Sequence, residues 1–578
     1  MVSLIAQPQQ RNVQVLPIGI DTTVLRCRSL KRIKFEIEYA LQHGTTANSY
    51  LIRSADGSLT LFDPPGETFT ALFLEALQER IDLAQLRYLI LGHVNPNRAR
   101  TLEALLALAP QVKILCSGPA EQSLRELLRE LPQLPEIQAV RGDEVLDLGE
   151  GHKLKFIPAP TPRWPDGLMT FDPRTRILYT DKFFGAHLCT DQVFDEGMTS
   201  FEVDLRYYFD CLMAPHAKRV TQILDRITPL EATTYATGHG PLSRYNLHEL
   251  TNRYRGWLNE QNSRTTSVAL LYASAYGSTA TLAQAIAQGI TRTGAAVEMI
   301  NCEFADSEEI REAIARSAGF IIGSPTLGGH APTPVQTALG IVLATAQKSQ
   351  LAGVFGSFGW SGEAIDLLES KLQDAGFSFG FPPLRVKFKP TEVVLKTCEE
   401  IGTDFGQALR KTRKAKQGRK PATDTEQAVG RISNGLYVVT ANRDGVRSAM
   451  LASWVVQASF SPPGLTIAVA KERAVGSLMY PGDRFVLNAL ADGNHIGLMK
   501  HFLKPFGPGE DRFAEIETQE ATNGAPILKD SLSYLECTVT QMMECGDHWL
   551  LYCTADTGKV FDEKGRTAVH HRKSGSHY

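Results

Sequence analysis

Ser267-Val268-Ala269-Leu270-Leu271-Tyr272-Ala273-Ser274-Ala275-Tyr276-Gly277-Ser278-Thr279-Ala280 decides how the middle of this chain is read. An apolar run, Ser267–Tyr272, predicts a buried strand. A loop of small and hydroxyl-bearing residues follows, and then a helix is predicted over Thr279–Thr291. The same strand–loop–helix unit recurs around Ala318–Ser324 and Ala352–Gly356, the rhythm of a doubly wound parallel sheet. The loop Ser274-Ala275-Tyr276-Gly277-Ser278-Thr279 brings hydroxyls and backbone N–H groups to a helix N-terminus, whose partial positive charge favours a phosphate. It lacks the lysine of a nucleotide P-loop and the G-x-G-x-x-G fingerprint, so ATP and Rossmann-bound NAD are poor fits. Two further loops, Ser324-Pro325-Thr326-Leu327-Gly328-Gly329 and Gly356-Ser357-Phe358-Gly359-Trp360-Ser361-Gly362, follow the next two strands. In an open α/β sheet the ligand sits at these carboxyl ends.

A phosphate held by neutral hydroxyls at three successive strand ends resembles the flavodoxins, over about 140 residues, 266–408. The resemblance implies FMN. Its candidate binding residues are Ser274, Tyr276, Gly277, Ser278 and Thr279 in the first loop. The second supplies Ser324, Pro325, Thr326, Leu327, Gly328 and Gly329, and the third Ser357, Phe358, Gly359, Trp360 and Gly362. Trp360 or Phe358 would cover a face of the flavin ring.

Outward from this segment, 578 residues are too many for one core and imply several domains. A formal net charge of −3 gives no reason to propose nucleic acid or an anionic membrane as partner. No apolar run approaches the roughly 18 residues of a membrane span. The start, MVSLIAQPQQRN, lacks the basic and apolar regions of a secretory signal. Nine cysteines without a C-x-x-C pair read as reduced thiols, hence a cytoplasmic setting. Residues 1–260 alternate short strands with helical stretches. Residues 409–424 include seven Lys or Arg within Arg410–Lys420 and read as a basic, solvated linker. Residues 425–578 become strand-rich, suggesting a β-barrel type of domain.

In that last segment, Ser448 to Pro463 alternates small polar with apolar residues and ends at Pro-Pro. It resembles the NAD(P)H:flavin reductase family, a split β-barrel binding FMN or FAD. That resemblance singles out Ser453, Trp454, Ser459 and Asn488 on the flavin side, with Arg431, Gly435, Val439 and Thr440 in the opening strand. A half-buried strand of small residues packed on its neighbours would read the same way.

The N-terminal segment turns on Leu89-Ile90-Leu91-Gly92-His93-Val94-Asn95-Pro96-Asn97-Arg98. With His43-Gly44-Thr45, Phe62-Asp63, Trp164-Pro165-Asp166, Phe184-Gly185-Ala186-His187 and Gly238-His239-Gly240, it resembles a metallo-β-lactamase-like αββα sandwich. The order of the three domains resembles the three-domain flavodiiron proteins of oxygenic phototrophs. That family holds two irons by His-x-Glu-x-Asp-His, a His before Trp-Pro-Asp, an Asp before Phe-Gly and a last His. Here His93 and His239 stand in ligand positions, while Asn95, Asn97, Arg98, Arg163 and Lys182 replace the others. Arg and Lys have no lone pair to offer, and the exchanges shift the pocket by about six charge units toward positive. The expectation is that iron is absent, with the cations paired to acids such as Asp166 or Asp181, or holding a small anion.

The resemblance then implies a flavin-dependent oxidoreductase. Electrons would pass from NAD(P)H through two flavins toward reduction of dioxygen to water, in a homo-oligomer or a heteromer with an iron-bearing paralogue. The alternative is a regulatory, anion-binding subunit of such a complex. A third reading, oxygen or nitric oxide reduction by this chain alone, requires bound iron.

Overall fold

The computed structural model describes residues 11–30, 43–142, 144–197, 201–264, 266–417, 423–443, 445–504 and 506–572. The first ten residues, which carry most of MVSLIAQPQQRN, and 418–422 of the basic stretch lie outside them. The chain forms two compact units, Met1–Arg264 and Thr265–Tyr578.

In the first unit two sheets face each other. Arg11–Gly19, Thr22–Ser29, Thr45–Arg53 and Leu59–Phe62 run antiparallel, and Leu86–Ile90, Lys113–Cys116 and Glu136–Ala139 continue the same sheet in parallel. The second sheet runs from Val145–Asp147 through Lys153–Pro158 and Leu168–Asp172 to Ile177–Asp181, and Thr234–Thr237 joins it in parallel. Alternation along the strands builds three apolar layers. Val24, Tyr50, Ile52 and Phe62 meet Phe156, Leu168 and Tyr179 between the sheets. Leu25, Leu51, Leu61 and Leu89 face outward onto the helices Thr70–Gln78, Ala99–Leu108 and Gly118–Leu127. Phe171 and Leu178 pack under Glu202–Leu212, Ala217–Ile227 and Leu247–Ser263. This is the expected αββα sandwich.

The second unit begins with a parallel sheet in the order Ala296–Asn301, Ser267–Tyr272, Gly319–Pro325, Leu351–Phe358, and from there to Ser378–Phe379 and Leu384–Lys387. The helices Ser307–Arg316, Thr333–Thr345 and Glu363–Asp374 cover one face. Ser278–Arg292 and Glu392–Gln417 pack tightly on each other: a Cβ at Gly289 would lie 2.0 Å from the Glu399 carbonyl oxygen, and one at Gly402 2.0 Å from that of Ile286. The stretch read as a linker from 409 therefore needs correction. It stays helical to Gln417, because Leu409 is buried and Arg410 donates to the Thr293 carbonyl (2.8 Å) and to Glu472 (3.1 Å).

The strand-rich segment is built on a seven-stranded antiparallel sheet, ordered Val446–Ala452, Tyr437–Arg443, Arg484–Ala489, Ser533–Cys545, His548–Val560, Pro463–Ala470, Val455–Phe460. Its two edge strands are joined by only Ser453-Trp454, so the sheet must curl until its edges meet: a split barrel. Val439, Met450, Val455, Ile467, Phe485, Cys537 and Leu551 fill it. The run from Ser448 to Ser459, expected as one strand, is thus two strands on opposite edges, because the chain turns at the seam. Among the described residues no helix is long and apolar enough to cross a membrane.

Candidate functional site

In the sandwich, the strand ends hold a pocket in which buried cations, acids and imidazoles are packed together. The 3₁₀ turn Pro96–Arg98 is capped by Asn95, whose side chain accepts from the Asn97 N–H (3.1 Å). That turn sends Arg98 inward. Its Nη1 donates to Asp63 Oδ1 (2.8 Å) and to the His93 carbonyl (3.0 Å), and its Nη2 lies 3.6 Å from Asp181 Oδ1. Burial raises the Asp63 carboxyl to about 6, with Asp181 adding to the rise and Arg98 opposing it. Burial opposes the Arg98 charge too, but Asp63 and Asp181 together hold the guanidinium above its ordinary value. Asp63, Asp181 and Phe184 carry positive φ angles of 45°, 44° and 63°, a concentration of backbone strain at one strand-end cluster. Gly92 lets the chain through: a Cβ there would lie 2.9 Å from Asp181 Cβ and 3.2 Å from Asp63 Oδ2.

The two surviving imidazoles are also engaged. His93 Nδ1 meets Asp166 Oδ1 at 2.8 Å, and Asp166 Oδ2 accepts from the Val94 N–H at 2.8 Å. Burial works against the Asp166 carboxylate, but His93 and the Val94 amide hold it below the usual range. His239 Nδ1 donates to the Thr46 carbonyl (2.7 Å), which leaves the lone pair on Nε2. That lone pair faces the Lys182 ammonium at 3.3 Å. Burial, then Lys182 and His187, keep His239 well below the ordinary imidazole value, so it is neutral. Arg163 stacks over Trp164 at 5.0 Å, and burial together with Arg163 brings His216 down to about 3.

Of the seven remnant positions, Arg98 and His93 engage carboxylates, Lys182 and His239 meet each other, Arg163 stacks on Trp164, and Asn95 and Asn97 bond within their own turn. Among the described residues no group of three or more His, Cys, Asp or Glu side chains could hold a metal ion. Two irons need several anionic or imidazole donors with free lone pairs. This donor set does not fit them. The expected pairing of a cation with Asp181 is present, whereas Asp166 pairs with His93. Asp63, quoted only as a signpost, is the missing counter-ion. Its signal in the sequence was an acid directly after an apolar strand.

The three flavodoxin-type loops do converge at the carboxyl ends of adjacent strands. Ser274 Oγ accepts from the Ala280 N–H (3.1 Å), Thr279 and Ser357 hydroxyls meet at 2.8 Å, and the Thr326 N–H donates to the Ser357 carbonyl (2.9 Å). Gly277, at φ +80°, turns the chain into the helix Ser278–Arg292 without a capping side chain of its own, and Ser274 Oγ takes the Ala280 N–H of the first turn. The buried Thr326 hydroxyl has no hydrogen-bond partner. Helix N–H groups, hydroxyls and an orphaned donor suit a phosphate and its flavin. Tyr276 and Trp360 are 90% and 92% exposed, whereas Phe358 packs on the domain core. Of the two candidate ring-covering residues, only Trp360 is therefore free to do so. Ser324 is buried with its hydroxyl on the Pro325 carbonyl (2.8 Å), and Leu327 pairs with His330 in the turn that carries Gly328 and Gly329.

At the barrel seam, the Ser453 hydroxyl is buried without a partner, which suits a polar ligand there. Trp454 sits beside His548 (4.8 Å) with Arg572 over its ring (5.0 Å). Neither His548 nor Arg572 was singled out from sequence; the Gly546-Asp547-His548 hairpin turn, with Gly546 at φ +59°, was the available signal. Asn488 needs correction. It is fully buried, donates to the Val438 carbonyl and Thr440 hydroxyl, and accepts from the Leu528 N–H, so its amide is spent inside the protein. Ser459 likewise donates to the Pro462 carbonyl at the exposed edge.

Three family descriptions match the chain: "ODP family beta lactamase" over residues 45–240, "Flavodoxin" over 270–402 and "Flavin reductase like domain" over 429–576. Diflavin flavoprotein A 6 of Nostoc sp. (strain PCC 7120) is 64% identical, covering 99% of this chain and 100% of its own length. Diflavin flavoprotein A 3 of Synechocystis sp. (strain PCC 6803) is 62% identical over 98% of this chain and 96% of its own. Among solved structures, the metal-soaked Flv1 flavodiiron core of Synechocystis sp. PCC6803 aligns with a TM-score of 0.67 at 62% identity, over 70% of this chain and 100% of that one. A metallo-β-lactamase-like sandwich, a flavodoxin and a flavin-reductase-like barrel in this order, with relatives matching end to end, place the chain in the diflavin flavoprotein A group of the flavodiiron family of oxidoreductases.

Proposed function

We propose that this chain is the electron-delivering, iron-free subunit of an NAD(P)H-dependent system that reduces dioxygen to water, and that an iron-bearing paralogue completes it in the cytoplasm. The observation that carries the reading is the Lys182–His239 contact: an ammonium ion holds the lone pair that iron would need. Arg98 between Asp63 and Asp181 adds a second barrier, since displacing it would leave two buried carboxylates facing each other.

Flavins held in these two domains would supply hydride acceptance and onward transfer of single electrons. The chain's own residues do the holding. Ser274, Thr279, Thr326 and the N–H groups at Ser278–Arg292 would seat the FMN phosphate, and Trp360 would lie against the ring. In the barrel, Ser453 would offer its hydroxyl to FMN or FAD, and Trp454 would bound the pocket.

A regulatory reading draws on the same cations, since the pocket of Arg98, Arg163 and Lys182 suits an anion. The test measures iron and flavin per chain on protein prepared without chelators or metal resin, and NAD(P)H oxidation with an artificial acceptor. Flavin with negligible iron and rapid turnover is the expected result. Flavin without turnover would favour the regulatory reading. Iron near two per chain would refute the iron-free assignment.

A further inference from the structure

Among the described residues, the barrel seam carries a guanidinium that no carboxylate neutralises. Arg572 Cζ lies 5.0 Å above the Trp454 ring, which also neighbours the His548 imidazole at 4.8 Å. Among the described residues, Arg572 has no carboxylate within ion-pair distance. The acid nearest the stack in sequence, Asp547, is 89% exposed and bonds His548 Nδ1 at 2.7 Å. Arg572 is also held in place. The strand Val569–His570 pairs with Asn434–Gly435, and His571 Nδ1 lies 3.5 Å from the Ser433 hydroxyl. Positive charge is crowded there: burial, then Arg572 and His571, lower the His570 imidazole below its ordinary value. Beside the stack, the Ser453 hydroxyl is buried without a partner.

A guanidinium lying over a ring keeps its N–H groups in its own plane, at the edge of the stack, where a planar fork can donate in parallel to two oxygens of one anion. Lysine would bring the charge without the fork. We propose that Arg572 is the phosphate-recognising residue of the reductase-like domain, its partner being a phosphate monoester of a nucleotide. Two nucleotides that this domain would take carry that group: a dinucleotide donor with a 2′-phosphate, and FMN, whereas the pyrophosphate of FAD is a diester. The assignment rests on the reading that the barrel binds flavin and takes electrons from NAD(P)H.

The experiment uses the full flavin-loaded chain, with Arg572→Ala and Arg572→Lys beside it. Flavin released per chain is measured, and adenosine 2′,5′-bisphosphate and 5′-AMP are titrated by calorimetry. If the donor supplies the phosphate, the bisphosphate binds about tenfold or more tighter than 5′-AMP, the size of a charge-assisted hydrogen-bond pair. Arg572→Ala then abolishes the difference, Arg572→Lys keeps part of it, and flavin content holds. If the flavin supplies it, Arg572→Ala loses the flavin of this domain and the unaltered chain does not discriminate between the two adenosine nucleotides. Unchanged flavin content together with an unchanged bisphosphate preference in Arg572→Ala would overturn the proposal. A chain that binds the bisphosphate through Arg572 yet oxidises no NAD(P)H would remove the electron-delivery reading and leave this one standing.

Discussion

Replacing Arg98 by methionine removes the one cation between Asp63 and Asp181 while keeping most of the side-chain volume. The guanidinium makes a 2.8 Å bond to Asp63 and a 3.6 Å approach to Asp181, with all three side chains less than one-tenth exposed. Breaking a buried pair from one side costs about 3–5 kcal/mol, because the remaining charge is left uncompensated. The cost must depend on pH, and its sign follows from Asp63. Its folded carboxyl is already pushed up to about 6, from an ordinary value of 3.8. A raised carboxyl contributes stability that is complete below the unfolded pKa and is lost as pH rises through the folded one. Without Arg98 that carboxyl climbs further, so the loss deepens from pH 5 to pH 8. Urea denaturation of the full chain at both pH values, with hydrogen exchange of the peptide over residues 89–98, reads the effect globally and at the Gly92 amide that bonds Asp63. Arg98→Met combined with Asp63→Asn and Asp181→Asn should recover much of the loss at pH 8. Equal destabilisation at pH 5 and pH 8, or none at pH 8, would refute the reasoning.

Asp166→Ala strips His93 and the Val94 amide of their shared partner and should cost about 1–3 kcal/mol at pH 7, by analogy with other buried unsatisfied groups. Because the Asp166 carboxyl sits below its ordinary value, its contribution is present above the unfolded pKa and fades as pH falls through the folded one; denaturation curves converging in acid would bear this out. Gly277→Val places a β-branched side chain at φ +80° beside the phosphate loop and should lower FMN retention in the flavodoxin-like domain, measured as flavin released per chain. Trp360→Ala should weaken FMN binding with little change in stability, since the indole is 92% exposed; a large drop in melting temperature would count against its assigned role. Gly402→Val drives a side chain into the Ile286 carbonyl and should destabilise the second unit by about 1–3 kcal/mol or more, visible in its thermal transition.

The sequence by itself determined what depends on neighbours along the chain. Strand–loop–helix units with hydroxyls at their turns announce a parallel sheet and a phosphate loop, because a strand end and the following helix N-terminus are adjacent by covalent geometry. That Arg98, Arg163 and a charged Lys182 offer no lone pair to a metal was likewise legible, since it depends on residue type and not on where the side chain points. Tertiary structure decided what depends on residues far apart. Asp63 became the counter-ion of Arg98 across 35 positions, and Lys182 reached the His239 lone pair across 57. The two-residue seam at Ser453-Trp454 was hidden inside what reads as one alternating run. Edge strands are distinguished by which partners they lack, and period-two patterning does not record that. Asn488 and Ser459 had the residue types of a flavin site, but their hydrogen bonds went to backbone groups brought in from elsewhere in the sheet or the next turn. The bonding capacity of a polar side chain is set by its type, and where that capacity is spent is set by the packing around it.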